Sequence, residues 1–110
     1  MTKTQFPIEA DILHRAAGVI RCLGHPMRLR LLELLEHGEK TVSELVEGTC
    51  APQASVSQQL SILRGHGVVD ARRDGSFVIY RITEPKVRHI LNCIRSCDVT
   101  DEERRQSRTA

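Results

Sequence analysis

The sequence predicts a mainly α-helical domain carrying one β-hairpin, in the order α-α-α-α-β-β-α. Three observations carry this. Apolar residues recur at helical spacing from residue 8 to residue 64. Short breaks containing Gly and Pro interrupt them. After Gly67 the apolar residues cluster instead around Asp74-Gly75, a strong short-range hairpin signal.

Each element has its own signature. The first helix runs from Ile8 to Cys22, with Ile12, Leu13, Ala16, Ala17, Val19 and Ile20 at helical period. Gly24 suits its end, and Pro26 suits the first turn of the next helix. That second helix, about Pro26 to His37, presents Leu29, Leu31, Leu32, Leu34 and Leu35, so it should be mostly buried; Gly38 stops it. A short third helix spans Val42 to Glu47, with Thr41 as cap and Glu44 at capping-box spacing. Gly48-Thr49-Cys50-Ala51 breaks the chain, and a fourth helix follows from Pro52 to Arg64 with Val56, Leu60 and Leu63 on one face. Two strands, about Val69–Arg73 and Ser76–Ile82, flank the hairpin turn. Thr83-Glu84-Pro85 opens a last helix to about Cys97, striped by Val87, Ile90, Leu91 and Ile94. Residues 98–110 are polar and charged, a composition expected to fray.

Length and composition set bounds. The 110 residues suit one domain, here 1–97, followed by the polar tail 98–110. A domain this small gains from pairing with a second copy, which buries more apolar surface. Aromatics are limited to Phe6, Phe77 and Tyr80, so Leu, Ile and Val must build the core. No stretch approaches the roughly 20 apolar residues that span a bilayer, and the start lacks a secretory apolar run. The expectation is a cytoplasmic protein that makes no use of a membrane, with reduced cysteines. The net charge of +2 decides little, but its distribution is informative. Residues 1–50 carry six Lys/Arg against seven Asp/Glu, whereas 51–97 carry seven against three.

That basic excess falls on a suggestive arrangement. Two short helices joined by a tight turn and followed by a hairpin form a winged helix-turn-helix, whose second helix enters the major groove of DNA. The polar face of that helix would carry Gln53, Ser55, Ser57, Gln58, Gln59 and Ser61. Hydroxyls and amides reach base edges and phosphates without the desolvation cost of full charges. Arg64, Arg72 and Arg73 would add phosphate-directed charge.

Several stretches together resemble the ArsR/SmtB family of repressors. They are Leu23-Gly24-His25-Pro26-Met27-Arg28-Leu29-Arg30-Leu31-Leu32, Thr41-Val42-Ser43-Glu44-Leu45, Ser55-Val56-Ser57-Gln58-Gln59-Leu60-Ser61-Ile62-Leu63-Arg64, Gly67-Val68-Val69 and Asp74-Gly75. The resemblance covers about residues 8–97. It implies a homodimer built through the first and last helices, binding double-stranded operator DNA and released by a metal, metalloid or thiol-modifying signal. Pro52 departs from the family's usual Ser cap, and Gln59 stands where a His is common.

The family's familiar sensor sites are incomplete here. Its arsenite pattern falls on Thr41-Val42-Ser43 and its late recognition-helix pattern on Ile62 and His66, all lacking thiols. The zinc pattern would use Glu84, Lys86, Cys97 and Thr100, and Lys86 cannot replace a histidine ligand. The persulfide pair would need a cysteine at Glu33. His89, Cys93 and Cys97 remain, each one turn apart on the last helix. Two thiolates at that spacing can share a soft ion such as As(III), Cu(I) or Zn(II), with a third ligand from elsewhere. Thiol oxidation or persulfidation is the alternative. Cys50, beside the reading helix, is a further sensor candidate, whereas Cys22 reads as packing. Two rivals are disfavoured, a winged helix that binds protein in place of DNA and an enzyme: His89 and Cys93 lack a third orienting group, and Cys-x3-Cys is not the redox Cys-x-x-Cys spacing.

Overall fold

A computed structural model describes residues 7–108, with side chains as far as Cys97. The elements are α1 (Ala10–Leu23), α2 (Pro26–Leu35), β1 (Lys40–Thr41), α3 (Val42–Thr49), α4 (Gln53–Gly65), β2 (Val69–Asp74), β3 (Phe77–Ile82) and α5 (Lys86–Arg108). The expected order is present with one addition, the two-residue strand β1. It pairs antiparallel with β3 (Lys40 opposite Tyr80, Thr41 opposite Ile79), giving a three-stranded sheet ordered β1-β3-β2.

Leucines from three helices meet at the centre. Leu31, Leu32, Leu45, Leu60 and Leu63 are each 0% exposed, and Val56, Val68, Val69 and Val87 close the core around them. Burying one such side chain stabilises the fold by about 1.5–3 kcal/mol. Leu29 and Leu34 on α2 are only half-buried, so that helix is less enclosed than its leucine content suggests.

Local chemistry explains the joints. His25 caps α2 by accepting from the Met27 amide through Nδ1 at 3.2 Å, with Pro26 in the first turn. Thr41 and Glu44 form the expected capping box: the Glu44 amide donates to Thr41 Oγ1 at 3.2 Å, and the Thr41 amide donates to Glu44 Oε1 at 2.8 Å. The end of α4 is a Schellman motif. The Gly67 amide donates to the Arg64 carbonyl and the Val68 amide to the Leu63 carbonyl, both at 3.0 Å. Gly67 sits there at φ +72, and Val68 packs with Leu63 in the core.

Two expectations shift. The hairpin turn is Gly75-Ser76 rather than Asp74-Gly75, because Asp74 already pairs with Phe77. Gly75 has φ +66 and Ser76 has no positive φ, the pattern of a type II′ turn, which favours Gly at its first central position. The last helix does not end near Cys97; it continues to Arg108. Residues 98–108 contain no Gly or Pro and are rich in Glu, Arg and Gln, which sustain a helix. Side chains of that segment, residues 109–110 and the first six residues, Phe6 included, lie outside the described residues. Among the described residues, no helix is long and apolar enough to cross a membrane.

Candidate nucleic-acid interface

Helices α3 and α4 meet at a tight turn, Cys50-Ala51-Pro52. Cys50 closes α3 in the left-handed conformation at φ 57, its amide donating to the Val46 carbonyl at 2.9 Å. A non-glycine residue there costs about 1–2 kcal/mol. Pro52 occupies the N-cap of α4 and offers no side-chain acceptor. The first amides of α4 therefore have no side-chain cap, and a helix N-terminus of this kind suits a phosphate oxygen.

Val56, Leu60 and Leu63 pin α4 to the core. The opposite side presents Gln58 and Ser61, Gln53 and Arg64 are exposed at the two ends of the helix, and Ser55 and Ser57 are half-buried at its edges. Gln59 has a partner within the chain. It is half-buried, and its Oε1 accepts from Arg28 Nε at 2.8 Å. The same guanidinium donates through Nη1 to the Cys22 carbonyl at 2.8 Å. Arg28 thus ties the end of α1 to the middle of α4, with Gln59 as the receiving group. A contact across 31 residues has no local sequence signal.

The basic residues of the hairpin separate as well. Side chains alternate along a strand. Arg73 therefore shares a face with Ala71 and Val69, and Arg72 shares the other with Asp70 and Asp74. Arg72 donates to Glu39 at 2.6 Å, and Glu39 raises its hold on its proton. Arg64 lies 3.8 Å from Asp70, an exposed pair of little energetic weight. Arg73 forms no ion pair among the described residues. Phe77, at the hairpin tip, is 58% exposed.

The thiols fall into two classes. Cys22 is buried, and burial pushes its thiol pKa up, partly offset by the charge and hydrogen bond of Arg28. Cys50, Cys93 and Cys97 are exposed and free. Cys93 and Cys97 share α5, whereas Cys50 belongs to the α3–α4 turn. Among the described residues no three His, Cys, Asp or Glu gather as a metal-holding group. Among the described residues a soft ion is therefore offered two thiols one turn apart on α5.

On α1 and α5, away from the core, apolar side chains stand in the open. Ile12, Leu13 and Ile20 are 45%, 51% and 65% exposed, and Ile94 on α5 is 41% exposed. Ile12, Val19, Ile20 and Ile90, with the charged Arg15, Glu84 and Lys86, line a hollow of about 460 Å³ beside these two helices. Apolar surface of this kind marks an interaction face.

Comparison with known proteins agrees with this architecture. The family described as bacterial regulatory protein, arsR family, matches residues 25–71. An HTH-type transcriptional regulator of Mycobacterium tuberculosis is 40% identical over 90 residues, covering 80% of this chain and 79% of the relative. The crystal structure of the transcriptional repressor BigR from Xylella fastidiosa superposes with a TM-score of 0.72 at 37% identity, covering 79% of this chain and 92% of that one. A homodimeric winged helix-turn-helix DNA-binding domain from Mycobacterium bovis gives 0.72 at 30% identity, with 93% of each chain covered. These relatives are regulators, not enzymes. The fold is a winged helix-turn-helix, and the chain belongs to the arsR family of bacterial regulatory proteins.

Proposed function

We propose that the chain is a cytoplasmic, homodimeric repressor that binds double-stranded operator DNA and lets go when a thiol-directed signal reaches α5. The observation that carries the DNA reading is the two-sided character of α4, whose buried Val56, Leu60 and Leu63 back an exposed face of Gln58 and Ser61, with Gln53 exposed in its first turn. Base edges are read by Gln53, Gln58 and the rim residues Ser55 and Ser57. Arg64 and Arg73 supply phosphate contacts, and Arg72 supports the wing through Glu39. The exposed apolar residues of α1 and α5 supply the dimer face, in keeping with the relative described as homodimeric.

The signal is a soft metal or metalloid such as As(III), held by Cys93 and Cys97 with a third ligand from the partner chain or from Cys50. Exposure of both α5 thiols equally supports a redox or persulfide reading.

The test is operator binding with the chain's own promoter region. Wild-type protein should bind with salt-sensitive affinity, and Arg73→Gln, which removes one phosphate contact from each protomer of the dimer, should flatten the slope of log K against log salt by about 1.8. Absence of salt-sensitive binding would refute the DNA reading. Replacing Cys93 and Cys97 with Ser should abolish release by arsenite, by persulfide, or by both; normal release by the double variant would move the sensor elsewhere.

A further inference from the structure

Residues 36–41, between α2 and α3, are tied to four other elements. Glu36 ends α2, and its side chain is only 15% exposed because Arg95 of α5 ion-pairs with it. Arg95 is oriented in turn by Asn92 Oδ1, which accepts from it at 2.7 Å. Arg88, two helical turns before Arg95 and hence on the same edge of α5, donates to the main-chain oxygen of Glu36 at 3.0 Å. Three residues further on, Glu39 accepts from Arg72 of β2 at 2.6 Å. Lys40 and Thr41 then pair with β3, and Thr41 caps α3.

An exposed ion pair does little alone. Here an ion pair to a half-buried carboxylate, a main-chain hydrogen bond, a second ion pair and a two-residue ladder all act on six consecutive residues. Tilting α5 therefore displaces the anchor of the wing's outer face and the cap of α3 together. Cys93 and Cys97 each lie two positions from Arg95, about 200° around the helix, so neither thiol shares the edge of α5 that carries the Glu36 contacts.

We propose that Glu36 and Arg95 are positioning residues for the wing: their pairing sets the 36–41 segment, which sets the attitude of the hairpin through Glu39–Arg72 and β1. The consequence for DNA rests on the repressor reading above, but the first readout does not involve DNA.

The experiment follows amide hydrogen exchange in peptides covering residues 69–82 of the full-length protein, alongside operator affinity. Glu36→Gln and Arg95→Gln should each accelerate wing exchange about three- to fivefold. Arg30→Gln, which removes an exposed pair with Glu33 on α2, should not. The exchanged pair Glu36→Arg with Arg95→Glu should recover most of the wild-type protection. Combining Glu39→Gln with Arg95→Gln should be no faster than the worse single variant, because the two contacts act in series. Operator affinity should fall by the same factor with an unchanged salt slope. Unchanged wing exchange in both single variants overturns the proposal. So does an additive double variant, or acceleration spread evenly over all peptides with no recovery in the exchanged pair. If wild-type protein binds no operator, the repressor reading fails, and wing exchange alone still decides this one.

Discussion

Replacing Gln59 with Ala separates two roles for a residue on the recognition helix. Its Oε1 takes one charge-assisted hydrogen bond from Arg28 at 2.8 Å in a half-buried setting. Hydrogen bonds to charged groups contribute about 1.5–3 kcal/mol. The low end applies, because Arg28 keeps the Cys22 carbonyl. Ala also recovers a few tenths of a kcal/mol in helix propensity. The net loss should be about 1 kcal/mol, a fall in Tm of about 4–8 °C for a domain of this size. Arg28→Met loses both hydrogen bonds and should cost about twice as much. The chain has no Trp and a single Tyr, so far-UV circular dichroism is the suitable probe of unfolding. Operator affinity of Gln59→Ala should stay within about twofold of wild type, whereas losing a bidentate base contact costs about 1–3 kcal/mol. An unchanged Tm with a tenfold or larger loss of affinity and altered base preference would refute the bridging role.

Three other predictions address the wing, the thiols and acid. Gly75→Ala forces a Cβ into φ +66 and should destabilise the turn by about 1–2 kcal/mol, accelerating exchange at the tip before the core; a stable, fully protected variant would count against the II′ assignment. Native protein should lose Cys50 to iodoacetamide rapidly, while Cys22, buried with a raised thiol pKa, should react only on unfolding; equal rates would contradict the packing described here. The hydrogen bond from Arg95 holds the Glu36 carboxyl below its usual range against the opposing effect of burial, with the charges of Arg95, His37 and Arg88 assisting. Stability from a depressed carboxyl is present above its unfolded-state pKa and lost as pH falls through its folded-state value. The stability gap between wild type and Glu36→Gln should therefore be full at neutral pH and close in acid, below the ordinary carboxylate range. A gap independent of pH would show that the ionised carboxylate is not what Arg95 recognises.

Much of this molecule is local, and local features are legible in a sequence. Helical spacing of Leu, Ile and Val, the Thr41–Glu44 capping box, Pro26 in a first turn and Gly67 at a left-handed helix end are each decided within a few residues. They suffice for the element order and for identifying α4 as the helix with a polar outer face. Even the errors there are small: the turn lies one residue later, and α5 runs on because nothing in residues 98–108 breaks a helix.

What residues far apart in the chain do to one another was decided only by the tertiary structure. Arg28 donates to Gln59, 31 residues away, a contact that no local pattern announces. Which of the neighbouring Arg72 and Arg73 meets a carboxylate depends on Glu39, 33 residues away, which takes Arg72. The strand β1 is two residues long, below any sequence signal, and exists because the edge of β3 offers it a partner. The physical reason is the same throughout. Propensity and capping act between neighbours in the chain, whereas a charged or polar side chain takes whichever partner the packed core brings within hydrogen-bond reach.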